Sequence, residues 1–182
     1  AAAVLARVTS DPYDLIYDPF CGSGTLVFEA MLAAANKPPG LYRKFAFQHT
    51  PYYSKATWEH LCQRANAAIT MIPCHLLGSD IDPRAIKNAQ DTLKSRKLPI
   101  PSQFWLADAL STDLGQISKH AKAPFLVANL PYGHRLNSPE TAQMLIHKFC
   151  DHLISSGKGW SYALITRHPD VFRRAGVPIR QT

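Results

Sequence analysis

The stretch LIYDPFCGSGTLVFEAMLAAA, residues 15–35, contains a complete change of structural period. LIYDPF is a short apolar run closed by Asp18 and Pro19, the pattern of a buried strand that stops at a loop. Gly22 and Gly24 let the backbone turn sharply there and approach a ligand closely. LVFEAMLAAA then runs without a breaker until Asn36, Pro38, Pro39 and Gly40, which predicts a helix with a clear stop. The start of that helix points free amide hydrogens and a positive dipole end at whatever the loop holds. The loop is not a phosphate P-loop, because no Gly-Lys-Ser/Thr ends it, and it lacks G-x-G-x-x-G.

Outward from this unit the alternation repeats. CHLLGSDID predicts a second strand, QFWLADAL a third, PFLVANL a fourth and GWSYALIT a fifth. Helices are expected from Lys55 to about Met71, after Pro83 with Asp82 as its cap, over roughly 112–121, and over 139–155 with Ser138 as cap and Pro139 as first residue. The leading AAAVLARVTSD is expected to be a helix and not a signal peptide, since no basic region precedes it. Residues 37–54, rich in aromatics and prolines, form an irregular inserted loop whose Tyr42, Phe45, Phe47 and Tyr52 are expected to pack on the 55–71 helix more than to stack on bases. Strands alternating with helices imply a doubly wound α/β fold, a mostly parallel sheet covered on both faces with right-handed crossovers. Such a sheet takes ligands at the carboxyl ends of its strands.

Four motifs fall at those ends. The glycine loop follows the first strand. Asp80, in GSDIDP, ends the second, where an acid accepts hydrogen bonds from ribose hydroxyls. Asp108, in LADAL, lies just past the third, placed to accept a bond from an adenine amino group. NLPYG, residues 129–133, ends the fourth. Alone, the glycine loop reads equally well as a tight turn and either acid more often as a plain loop residue, whereas the loop and the two acids together outline a pocket for an adenosine.

In this order DPFCGSGT, DID and NLPYG resemble the S-adenosylmethionine-dependent amino-methyltransferases, whose catalytic motif has the form (Asn/Asp)-Pro-Pro-(Tyr/Phe). With DPFCGSGTLVFEA, YRKFAFQHTP and NLPYGHRL the chain more closely resembles the RNA guanine-N2 methyltransferases, a group that usually carries an RNA-binding THUMP domain ahead of the catalytic one. The resemblance spans roughly residues 1–176. It implies a class I, Rossmann-like catalytic domain over residues 1–182 and S-adenosylmethionine as cofactor. The implied cofactor-binding residues are Asp18, Phe20, Gly22 and Gly24 for the methionine part, Asp80 for the ribose and Asp108 for the adenine, with Ile81 also among them. The implied catalytic residues are Asn129, Leu130, Pro131 and Tyr132.

An exocyclic amine is a poor nucleophile because its lone pair is delocalised into the ring. The Asn129 side-chain oxygen and the Leu130 carbonyl would accept its two hydrogens and aim the lone pair at the methyl sulfonium, a gain in orientation and charge stabilisation worth several kcal/mol. Pro131 would hold that carbonyl outward, Tyr132 would stack on the target base, and Arg135 would meet a phosphate. The chain departs from the common pattern in having Leu130 where the motif has its first proline, a form also found in ribosomal RNA adenine dimethyltransferases, which carry a G-x-G-x-G first motif instead. The C-terminus stops at GVPIRQT, so the closing hairpin of the family is expected to be absent or only begun, and no THUMP-like domain precedes Ala1. Adenine-N6 or protein-glutamine methylation, or a silent RNA-binding or nucleoside-binding module, are the alternatives.

Composition bounds the rest. A chain of 182 residues that is 46% hydrophobic suits one domain. FLVANL and ALITR fall well short of the roughly 20 apolar residues of a membrane span, which points to a soluble, cytoplasmic protein. Cys21, Cys62, Cys74 and Cys150 form no C-x-x-C pair and the 8 histidines show no ligand spacing, so neither a metal site nor a disulfide framework is expected. The net charge of +7, with clusters at Arg84, Lys87, Lys94, Arg96 and Lys97 and at Arg167, Arg173, Arg174 and Arg180, suits a phosphate-backbone partner. The resemblance implies that this partner is RNA, either rRNA or tRNA, bound with help from a separate or deleted RNA-binding domain.

Overall fold

The structure is a computed structural model, and it describes residues 13–38, 40, 43–70, 73–96, 100–131 and 139–177. The expected leading helix, Tyr42, Tyr132, Arg135, the Ser138 cap, Lys97 and Arg180 lie outside the described residues.

Five strands form one sheet: β1 (Leu15–Asp18), β2 (His75–Asp80), β3 (Ser102–Leu106), β4 (Pro124–Asn129) and β5 (Ser161–Ile165). Their order is β3-β2-β1-β4-β5, and every pairing is parallel. Helices α1 (Thr25–Ala34), α2 (Lys55–Ala67), α3 (Pro83–Arg96), α4 (Leu114–Ile117), α5 (Pro139–Ser156) and α6 (Pro169–Arg174) connect them. The helix expected over 112–121 is a single turn, because Ser118 bonds back to the Leu114 carbonyl and ends it. The helix expected to reach residue 71 ends at Ala67.

Alternation along the strands splits the core in two. Ile16, Leu76, Phe104, Phe125 and Val127 face α1 and α3, meeting Val27, Met31, Ile86 and Ala89. Leu15, Tyr17, Leu126 and Ala128 face the other way and meet Ile146, Phe149 and Leu153 of α5 together with Trp160 and Phe172. Both faces are therefore covered by apolar contacts, and the strand ends are where polar chemistry is accessible. The order reverses direction between β1 and β4, which makes that pair the switch point at which open α/β sheets take ligands.

The expected inserted loop, 37–54, joins with α2 to form a larger insertion set apart from the sheet. It leaves α1 at Asn36 and returns beside the same residues, with the Thr70 N–H donating to the Ala35 carbonyl at 3.0 Å and the Asn36 amide donating to the Ala68 carbonyl at 2.9 Å. It contains a short 3-10 turn at Ala46–His49, pinned by the Phe45 N–H donating to the Gln48 side chain at 2.7 Å. Phe45 and Phe47 do pack on α2, each with its ring edge to face against Trp58 at 5.7 Å and 5.3 Å, whereas Tyr52, expected to pack there too, is 96% exposed. No residue of 43–70 is buried, so the insertion adds nothing to the sheet's core.

Candidate active site

The glycine loop is built by its neighbours as much as by its glycines. The Cys21 N–H donates to the Ser79 carbonyl at 2.9 Å and the Gly22 N–H to Asp80 Oδ2 at 2.8 Å, which ties the loop to the end of β2. The Gly24 N–H closes the turn on the Cys21 carbonyl at 2.8 Å. Gly24 then caps α1 with φ of +86°, a left-handed conformation, and a Cβ there would come within 2.9 Å of the Phe104 and Phe28 rings. A Cβ on Gly22 would meet nothing within 4 Å, so open space lies beside the loop. Gly78 packs against the same Phe104 ring, where a Cβ would come within 2.7 Å. One aromatic side chain thus fills the space left by two glycines.

Asp18 ends β1 at only 1% exposure. Its Oδ1 accepts the Phe20 N–H at 3.0 Å, and no cation pairs with it among the described residues. Burial pushes its carboxyl up to about 8, with the Phe20 N–H opposing and the nearby Asp80 adding to the rise. Phe20 sets its ring edge-on against Phe149 at 5.0 Å, so its side chain anchors the loop in the second core cluster.

Asp80 is already engaged. Besides the Gly22 N–H it accepts the Asp82 N–H on Oδ1 at 2.9 Å, which leaves two of its roughly four lone-pair sites for a ligand. Asp82 caps α3 as expected, its Oδ1 accepting the Arg84 N–H at 2.9 Å, and that bond is the largest reason its carboxyl titrates below the usual range. Beyond Asp80 the side chain of Ile81 is 70% exposed, and Leu106, the β3 residue paired with Asp80, is 57% exposed. Two apolar side chains at adjacent strand ends, open to water, suit the faces of a flat ring. Leu106 carries no signal in the sequence, because an apolar residue ending a strand reads as core. Asp108 is exposed, two residues past β3, and accepts the Leu110 N–H at 2.9 Å.

At the end of β4 the chain turns two adjacent residues to opposite fates. Asn129 is exposed, while Leu130 is 1% exposed, its side chain packed in the second core cluster. The Leu130 N–H donates to the Ile165 carbonyl of β5 at 3.0 Å. A proline in its place would have neither that donor nor that side chain. Pro131 follows, half-buried. The structure therefore gathers Asp18, Gly22, Gly24 and Asp80 into one bonded cluster, sets Ile81 and Asp108 along the ends of β2 and β3, and puts Asn129 to Pro131 on the other side of β1. Among the described residues no group of three or more His, Cys, Asp or Glu is placed to hold a metal, and no helix is long and apolar enough to cross a membrane.

Residues 1–177 match the model of the family described as RMKL-like, methyltransferase domain (UPF0020). The chain is similar to the ribosomal RNA large subunit methyltransferase K/L of Shewanella baltica (strain OS185), 34% identical over 155 residues, which is 82% of this chain and 21% of that protein. It is similar also to the protein of that name from Shewanella pealeana, 33% identical over 172 residues, 91% of this chain and 23% of that one. The chain thus spans about a fifth of the length of the curated relatives it matches. Among solved structures it is similar to SMU.472 complexed with SAH (TM-score 0.81, 24% identity, 96% of this chain and 45% of that one). A protein from Listeria monocytogenes str. 4b F2365, described as a predicted N6-adenine-specific DNA methylase, superposes with TM-score 0.80 at 28% identity over 96% of this chain and 45% of its own.

Proposed function

The chain belongs to the RMKL-like methyltransferase domain family, and from that premise we propose that it transfers a methyl group from S-adenosylmethionine to an exocyclic amine of RNA, the guanine N2 of ribosomal RNA before any other. The observation that carries the reading is the pairing, across β1 and β4, of a buried carboxyl without a cation and an exposed asparagine followed by an anchored backbone carbonyl.

The residues present fit the cofactor. A cationic ammonium group is the partner that Asp18 lacks, and the open space beside Gly22 gives the chain of a methionine room to pass. Asp80 retains acceptor capacity for ribose hydroxyls, Ile81 and Leu106 would flank the adenine, and Asp108 would accept from its amino group. When bound, the cofactor supplies a methyl group on a positively charged sulfur. Asn129 and the Leu130 carbonyl accept the two hydrogens of the target amine, which restores basicity to its nitrogen and fixes its direction. The nitrogen would take the methyl as the sulfur–methyl bond breaks with its electron pair left on sulfur, and the surplus proton would leave to water, so no side-chain general base is needed. Leu130 keeps its carbonyl in place through its own anchors, the N–H on β5 and the side chain in the core. Tyr132 would stack on the displaced base.

The test is transfer of labelled methyl from S-adenosylmethionine to total unmodified RNA, DNA and protein, followed by mass spectrometry of the nucleosides. Methylguanosine in RNA supports the reading, and label in protein or DNA alone overturns it. Asn129→Ala should slow transfer by roughly 100-fold, with affinity for SAH, read by calorimetry, kept within a few fold; equal loss of both would contradict the role. Methyladenine is the second outcome that a specific observation favours, since the Listeria relative is described as an adenine methylase. Selection of the RNA would be shared with a separate RNA-binding domain of the THUMP kind, and such a reaction belongs in the cytoplasm.

A further inference from the structure

The insertion carries an aromatic surface that no described residue of the sheet buries. Phe45, Phe47, Tyr53 and Trp58 contact one another at ring-centroid distances of 5.3–6.1 Å, yet every residue of 43–70 has solvent exposure. Between α2 and the segment before it lies a groove of about 290 Å³ with Phe45, Trp58, Leu61, Cys62 and Ala65 on its walls. That is just under the size, about 300 Å³, at which small-molecule pockets begin. Tyr52, in the turn beside it, is 96% exposed.

The charge around this surface has one sign. Residues 37–70 contain Lys37, Arg43, Lys44, Lys55 and Arg64 against the single acid Glu59, a net of +4 out of the chain's +7. Glu59 is spent on Lys55 at 3.7 Å, whereas Arg43 stacks over the Phe45 ring at 5.2 Å and Arg43, Lys44 and Arg64 have no ion-pair partner among the described residues. Flat rings flanked by unpaired cations are the means by which proteins hold unpaired nucleotides, the rings taking bases and the cations phosphates. The net of +4 around the rings is what favours a polyanion over a protein segment.

We propose that the insertion is a second RNA-binding site, which holds unpaired nucleotides away from the reacting base. Its position sets it apart from the catalytic end. Helix α1 begins at the glycine loop and runs 10 residues, about 15 Å, to Ala35, where the insertion is rooted at the opposite edge of the sheet. The bases in this groove are therefore neighbours of the target in the RNA and not the target itself. This inference rests on the reading of RNA as the substrate.

Binding of a short fluorescein-labelled oligouridylate to the full chain, followed by anisotropy, tests it. Trp58→Ala, and separately Arg43→Glu with Lys44→Glu, should each weaken binding about tenfold or more, while Trp58→Phe keeps most of the affinity and a duplex RNA of equal length responds little to the Trp58 change. SAH affinity should stay within a few fold in all three, because the cofactor pocket lies at the other edge. Unchanged oligouridylate affinity in both the alanine and the charge-reversed variants, with circular dichroism intact, overturns the proposal and leaves the groove to a protein segment. If Trp58→Ala fails to fold, the charge reversal on two exposed side chains decides alone. Failure of the methyltransferase reading would look different: no SAH binding by the unaltered chain, with the Trp58-dependent RNA binding still present.

Discussion

Asp18 owes its chemistry to what surrounds it. A carboxyl whose ordinary value is 3.8 is held near 8 by burial and by the negative Asp80, so the folded chain keeps a proton that the unfolded chain has released over the interval between. Its contribution to stability is full below about 3.8 and is lost as pH rises through about 8. Asp18→Asn, which cannot ionise, should therefore gain stability relative to the parent chain as pH rises over that interval, and chemical denaturation at a series of pH values would read the gain. A pH-independent difference would mean that Asp18 is already charged in the folded chain. Binding of SAH near pH 7 should release a proton as the ammonium group meets the carboxyl, visible as buffer-dependent heat in calorimetry. Leu130 makes a contrasting case. Leu130→Ala should cost about 2–5 kcal/mol by thermal unfolding, because its side chain is packed in the core. The sequence shows an asparagine, a proline and a tyrosine in a motif, but an odd leucine within a motif gives no clue that it is anchored by a hydrogen bond to β5, a strand more than thirty residues further on.

At the scale of elements, strands and helices were legible because their periods are distinct and their ends are marked. Asp82 and Pro83 announced α3, the breakers from Asn36 announced the end of α1, and the five apolar runs became the five strands with their ends shifted by a few residues. What could not be read was contact between elements. Phe104 in QFWLADAL looks like any core aromatic, and only the assembled sheet shows that its ring occupies the space above Gly24 and Gly78. Gly78→Ala should destabilise the fold by about 1–3 kcal/mol through collision with that ring. Combined with Phe104→Leu, the loss should fall short of the sum of the single losses, with a coupling of about 0.5–3 kcal/mol in a double-mutant cycle of denaturation midpoints. Additive losses would show that the two side chains do not compete for one space. Leu106 was hidden for a related reason: exposure of an apolar residue at a strand end depends on how far the neighbouring strand extends.

The whole molecule divides its labour between two edges of one sheet. The carboxyl edge holds the carboxyls, the glycine loop and Asn129, and the amino edge carries the insertion with more than half of the formal net charge. Sequence reading found both parts but not their separation, since chain order puts the insertion directly after the glycine-loop helix and says nothing of which way that helix carries the chain. Replacing residues 37–69 by a short glycine-serine link should leave a folded sheet domain that binds SAH with near-parental affinity, as calorimetry would show, and loss of SAH binding would mean that the insertion supports the pocket.

The hydrogen bond between Ala35 and Thr70 has a consequence for grafting. Where a segment's two attachment points already touch, lengthening, trimming or exchanging it alters only the entropy of closing a loop, which changes slowly with length. The junction is thus a splice point, where a foreign segment of another length can be rooted with little strain on the five-stranded sheet.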